Sequence, residues 1–208
     1  MLVNCYNPYS PKSARHLLDG HRSPSDVHYC LFDFDISHIF PRDAPLSVCR
    51  RPSAESYEGA LSYHPFDTSC GEYDYNPFAY DVACLGNLYK VHLSSTVPAI
   101  PFLAPLFDKM TTHVVAERFT AAEAANFIEF AIASVPEASL ATPVSLRTEW
   151  ECFEHPDIYW ARTTPAFRDH WAHFRAPRLP WISSLLMRLL ESPKGWPLLC
   201  FVRRMLRL

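Results

Sequence analysis

Several groups of side chains are spaced as catalytic, metal-binding or modification sites are. Asp33-Phe34-Asp35 places two carboxylates at the end of an apolar run, Tyr29 to Ile36. His170 and His173 lie three residues apart and, with His155 or Asp169, could in principle ligate a metal ion. In a chain of ten histidines, an aromatic-rich helix is the better reading of that pair. Arg50-Arg51-Pro52-Ser53 has the form of a basophilic phosphorylation site, where an added phosphate could find an arginine partner. The seven cysteines are an odd count with no Cys-x-x-Cys spacing, which argues for free thiols rather than zinc chelation or thiol exchange. Five glycines against 19 prolines exclude a phosphate-cradling glycine loop or a dinucleotide fold within these residues.

Composition and periodicity set the framework that holds these groups. With 208 residues, 49% hydrophobic and 20% charged, the chain is expected to form one globular domain or a little more. It has no apolar run of bilayer-spanning length and no leader pattern, so a cytoplasmic or nuclear protein is expected. Residues 1–150 hold 10 Lys/Arg and 17 Asp/Glu, a net of −7; residues 181–208 hold 5 and 1, a net of +4. An acidic main body argues against nucleic acid as a partner.

Residues 29–36 read as a strand with Leu2-Val3-Asn4 as a partner. Between about 37 and 77 no helical period survives, and an irregular segment of that length is functional or mobile. Phe78 to His92 reads as a buried helix, and Leu103, Leu106, Phe107 and Met110 form one amphipathic face. Thr120-Ala121-Ala122-Glu123 matches a capping box opening a helix to about Val135. Residues 136–180 are expected to wrap the core with a short helix near 165–174. Helices are expected at 181–191 and 197–208, the last with Leu198, Phe201, Val202 and Met205 on its apolar face. This basic helix either docks on the domain or makes a weak contact with an anionic membrane surface; Trp196 and Leu199 widen its apolar face and favour docking.

Four patterns occur in one order: Asp33-Phe34-Asp35, Gly71-Glu72, Asp81-Val82-Ala83-Cys84-Leu85-Gly86, and Arg118-Phe119-Thr120-Ala121-Ala122-Glu123-Ala124. Together they resemble the C-terminal half of a eukaryotic protein kinase, and more particularly the kinase-like proteins of mushroom-forming fungi, over roughly residues 1–132. The fold implied is mainly α: a kinase-like C-lobe with two or three short N-terminal strands and no N-lobe, followed by a helical extension over 133–208. The resemblance makes Asp33 a magnesium ligand, a role that suits a hard cation's preference for oxygen, and Phe34 the phenylalanine that follows it. Asp35 departs from the family's glycine. Leu2 would form the floor beneath adenine. Glu72 would close the activation segment and pair with Arg118, the alternative being two solvated charges. Asp81 would brace the catalytic loop or simply favour the helix dipole, and Gly86 matches a glycine of the same helix.

The family's His-Arg-Asp catalytic loop, its magnesium-binding Asn, the Gly-rich loop and the strand Lys with its Glu partner have no counterpart in the sequence. No catalytic residue is therefore assigned. Mg-ATP belongs to the complete family domain, and the chain is expected to be inactive alone and to bind none. The implied partner is a protein or the missing N-lobe segment.

Overall fold

The computed structural model describes residues 2–3, 29–30, 36–58, 61–69, 72–140, 146–190, 192 and 194–206. The chain divides into two compact units, Met1–Ile39 and Phe40–Leu208. In the first, β1 (Leu2–Val3) pairs antiparallel with β2 (Tyr29–Cys30), Leu2 opposite Cys30 and Val3 opposite Tyr29. The expected strand partners do meet. Asp33, Phe34 and Asp35 lie outside the described residues.

The second unit is mainly helical. Its helices are α1 (Pro77–Leu93), α2 (Leu103–Thr111), α3 (Ala121–Ser134), α4 (Glu137–Leu140), α5 (Glu151–Glu154), α6 (Asp157–Ala161), α7 (Pro165–His170), α8 (Trp181–Leu190) and α9 (Gly195–Leu206). A short antiparallel pair, β3 (Arg51–Pro52) with β4 (Asp74–Tyr75), stands before them. None of the described helices is long and apolar enough to cross a membrane.

Local chemistry explains where the main helices begin. The Asn76 side chain accepts from the Ala79 amide at 3.1 Å, and Pro77 fills the first position of α1, where no backbone donor is needed. At α3 the capping box is complete: Thr120 Oγ1 accepts from the Glu123 amide at 3.2 Å, and Glu123 accepts from the Thr120 amide at 2.8 Å. Pro105 sits within the first turn of α2, again where an amide proton would have no intrahelical acceptor.

The core is built on α1 crossing α2, through Val82, Leu103, Leu106, Phe107 and Met110. Residues 146–176 belong to the same core rather than to a separate layer, because Cys152, Tyr159 and Trp160 are fully buried against it. What draws them in is Asp108 of α2. Its buried carboxylate accepts from Tyr159 Oη, from Trp160 Nε1 at 3.1 Å and from the Ala176 amide at 2.9 Å. A buried carboxylate needs that many donors to offset lost hydration. Arg162 adds a fork to Glu149, at 2.6 and 3.1 Å, and the Glu149 amide donates to Val91 O of α1 at 2.8 Å.

The irregular stretch before α1 contains short 3₁₀ turns, among them Ser53–Tyr57, Leu61–Tyr63 and Phe66–Thr68. Side chains of α1 fasten it: Tyr80 Oη donates to Ser56 O at 2.7 Å, and Asn87 Nδ2 to Tyr63 O at 3.0 Å. These turns follow proline placement and tertiary hydrogen bonds, so no helical period marks them in the sequence.

Gly86 lies where α1 and α2 come closest. A Cβ there would stand 2.7 Å from both Met110 Cβ and Thr111 Cγ2. In an exposed helix, Gly→Ala stabilises by about 1 kcal/mol. Here the overlap should reverse the sign, with Gly86→Ala destabilising by about 1–3 kcal/mol in urea denaturation. A stabilised variant would mean that the two helices do not approach this closely.

Candidate functional site

Arg118 is the best-connected charged side chain among the described residues, and it stands immediately before the capped α3. A 3₁₀ turn at Val115–Glu117 and a bond from the Phe119 amide to Lys109 O at 2.9 Å bring the chain back beside α2. This return buries the guanidinium, leaving the residue 6% exposed. Nε and Nη2 both donate to Thr112 O, at 3.1 and 2.7 Å, and Nη1 donates to Ala79 O in the first turn of α1 at 3.0 Å. Nη2 also donates to the Asp67 carboxylate, completing an ion pair. One side chain thus joins the turn before α1, the start of α1 and the end of α2.

The acid that meets Arg118 is Asp67, which corrects the expected partner, Glu72. Asp67 belongs to the 3₁₀ turn Phe66–Thr68, held in place by Tyr57 Oη donating to Thr68 O at 2.7 Å and by hydrogen bonds between His64 and the Thr68 and Ser69 hydroxyls. Burial lowers the His64 pKa. Glu72 lies farther along, at the entry to β4, and faces Arg203 of α9 at 3.4 Å. Asp67 carried no signal in the sequence, because a lone acid in an aperiodic stretch looks like a solvated charge.

Asp81 stands in the second turn of α1, where the helix dipole has largely faded. Its side chain makes no hydrogen bond or ion pair among the described residues. Solvent reaches it, yet the protein around it pushes its pKa upward by desolvation. One turn on, burial lifts the Cys84 thiol to about 11 and raises Tyr80 as well, so neither is ionised at neutral pH. Gly86 lies at the contact between α1 and α2, Arg118 bridges the start of α1 and the end of α2, and Glu72 pairs with Arg203 of α9. Leu2 is described only as a member of β1, and Asp33 and Phe34 lie outside the described residues.

Between the β3–β4 pair and α9 lies a cavity of about 1240 Å³, lined by Arg50, Arg51, Ser53, Glu72, Trp196 and Arg204 among others. Its arginines are partly engaged: Arg51 forks onto Glu55 at 2.7 and 2.8 Å, and Arg50 lies 3.5 Å from Asp74. Ser53, the acceptor of the basophilic pattern, donates its hydroxyl to Glu72 O and its amide to Tyr73 O at 3.2 Å.

The last helix docks, through Leu199, the Trp196 ring 5.7 Å edge-on from Tyr57, and Arg203. It does so on a different face from the one expected. Leu198, Phe201, Val202 and Met205 are exposed, because the salt bridge to Glu72 and the buried Leu199 turn the opposite side inward. The described residues contain no group of three or more His, Cys, Asp or Glu able to hold a metal. His170 and His173 instead pack against Trp171, at 5.5 and 6.1 Å between ring centres. Comparison with known proteins gives no match to a family model, a curated protein or a solved structure.

The Asp67–Arg118 pair should couple strongly. Arg118→Met is expected to cost about 3–5 kcal/mol by leaving Asp67 and the Thr112 carbonyl without their donor. The double variant with Asp67→Asn should cost clearly less than the sum of the singles, whereas Glu72→Gln should simply add to Arg118→Met. Additivity for Asp67 with Arg118 would contradict the pairing.

Proposed function

We propose that the chain is the C-lobe portion of a protein kinase-like domain, of the kind found in the kinase-like proteins of mushroom-forming fungi. Its parent activity is ATP-dependent phosphoryl transfer to Ser or Thr hydroxyls. The observation that carries this reading is the Arg118 node. A buried arginine just ahead of a Thr-capped helix reaches an acid at the end of the preceding irregular segment and the first turn of a central helix. The resemblance gave the acid's part to Glu72, which pairs with Arg203 instead, so the support comes from the arginine's place before the capped helix and its reach to the first turn of α1. The close approach at Gly86 on the same central helix supports the reading, as does an Asp81 carboxylate without a hydrogen-bonding partner among the described residues.

Phosphoryl transfer rests on positioning and charge stabilisation. The 208 residues contain neither a His-Arg-Asp triplet nor a Gly-x-Gly-x-x-Gly run. By themselves they supply no base and no glycine cover for a nucleotide, so the reading assigns them a supporting rather than a catalytic part.

A second reading, a non-catalytic module that binds another protein, is favoured by one feature. On α8, Trp181, Ile182 and Leu185 are exposed, and on α9, which touches it, Phe201 and Met205 are too, Trp181 at 76% and Met205 at 70%. Large apolar side chains grouped on a surface mark interaction sites more often than isolated ones do.

The two readings share a test of the nucleotide site. Titrating these residues with a fluorescent ATP analogue in magnesium should give no saturable binding tighter than about 100 μM, since an affinity near −5.5 kcal/mol needs more contacts than a half site offers. Tight magnesium-dependent binding would contradict the assignment of a supporting part.

A further inference from the structure

Lys90, in the fourth turn of α1, is 6% exposed, a rare state for a lysine. Its ammonium has no hydrogen bond or ion pair among the described residues. No fully buried side-chain nitrogen or oxygen there lacks a partner, so the Lys90 tip must keep contact with open space. That space is a cavity of about 510 Å³ between α1, α2 and the chain around residues 153–157 and 175–179. The volume is within the range of small-molecule sites and far above the room one or two bridging waters need.

The charges facing the cavity are unequal in their freedom. Asp108 is held by Tyr159, Trp160 and the Ala176 amide. Asp157 is bound by Arg175, which also lies over the Trp160 ring. Glu154 is exposed beside His155. Among the cations, Lys90 and Arg178 both line the cavity, and neither is engaged by an acceptor among the described residues. His64 and His113 line it as well, the first pushed toward its neutral form by burial. Burial also brings the Lys90 pKa down to about 8, against the pull of Asp108 and with the push of Arg118. The side chain is still mostly charged at neutral pH and lacks a counterion in contact.

We propose that this cavity binds a small organic anion, a carboxylate or a phosphate ester, with Lys90 in its wall and Arg178 at its rim as the two cationic contacts. The site is independent of the kinase-like reading; it shares with the Arg118 node only the turn that carries Asp67, through His64, Phe66 and Ser69 in the cavity lining. An oxyanion would supply the acceptor that the lysine lacks, and the guanidinium fork suits either ligand group.

Calorimetric titration of the chain with inorganic phosphate and, in a separate arm, with succinate tests the proposal. At least one should bind saturably at one site, and both Arg178→Gln and Lys90→Met should weaken that binding tenfold or more. Arg178 is exposed, so its variant should fold even if Lys90→Met does not. As a second readout, pyridoxal 5′-phosphate followed by borohydride should label Lys90 ahead of Lys12, Lys109 and Lys194, more slowly when the bound anion is present. Failure of both anions to bind, unchanged binding by Arg178→Gln, or labelling without preference for Lys90 would each overturn it.

Discussion

A buried guanidinium must find acceptors for its donors or it does not stay buried. Arg118 meets that requirement with Thr112 O, Ala79 O and Asp67, which come from three separate stretches of chain. Much else follows. The turn at Phe66–Thr68 is held against the start of α1, the end of α2 is held beside α1, and Thr120, the cap of α3, stands two residues after this fixed point. Gly86 lets α1 and α2 approach closely enough for Thr112 and Ala79 to share one arginine. A bulkier residue at that crossing would separate the two acceptors.

A second polar centre organises the other side of the helix pair. Asp108 draws Tyr159, Trp160 and the Ala176 amide inward, so the proline- and tryptophan-rich stretch after α3 becomes part of the core. The aromatic side chains that follow, Phe167, Trp171 and Phe174, then pack edge-to-face or tilted against Phe102, Phe119 and Phe127. Such contacts add modestly to burial, about 0.5–1.5 kcal/mol each beyond area. Their number here makes the region from 146 to 176 a cover for α2 and α3. The same closure leaves the Lys90 cavity, because Asp108 spends its acceptors on that cover and none on the lysine.

The parts of this fold that were legible in the sequence are those written locally. The capping box at Thr120 and Glu123 announced α3, and the spacing of Leu103, Leu106, Phe107 and Met110 announced α2, because both signals lie within one or two helical turns. The parts that were not legible depend on distant partners. Asp67 and Asp108 look like ordinary surface acids until the chain brings Arg118, Tyr159 and Trp160 to them from about fifty positions away. Arg118 was recognisable as a residue to watch, but its partner was not, since Glu72 and Asp67 lie only five residues apart in an aperiodic segment. The last helix shows the same limit: its apolar stripe was visible, yet the ion pair from Arg203 to Glu72 turned the other side inward.

Arg118 ties three segments into one unit, and hydrogen exchange read by mass spectrometry can show whether they hold or open together. In Arg118→Met, amides in residues 61–69, 76–82 and 112–120 should lose protection together, while those of 157–163, held through Asp108, keep theirs. Loss confined to the peptide that carries the substitution would contradict the claim.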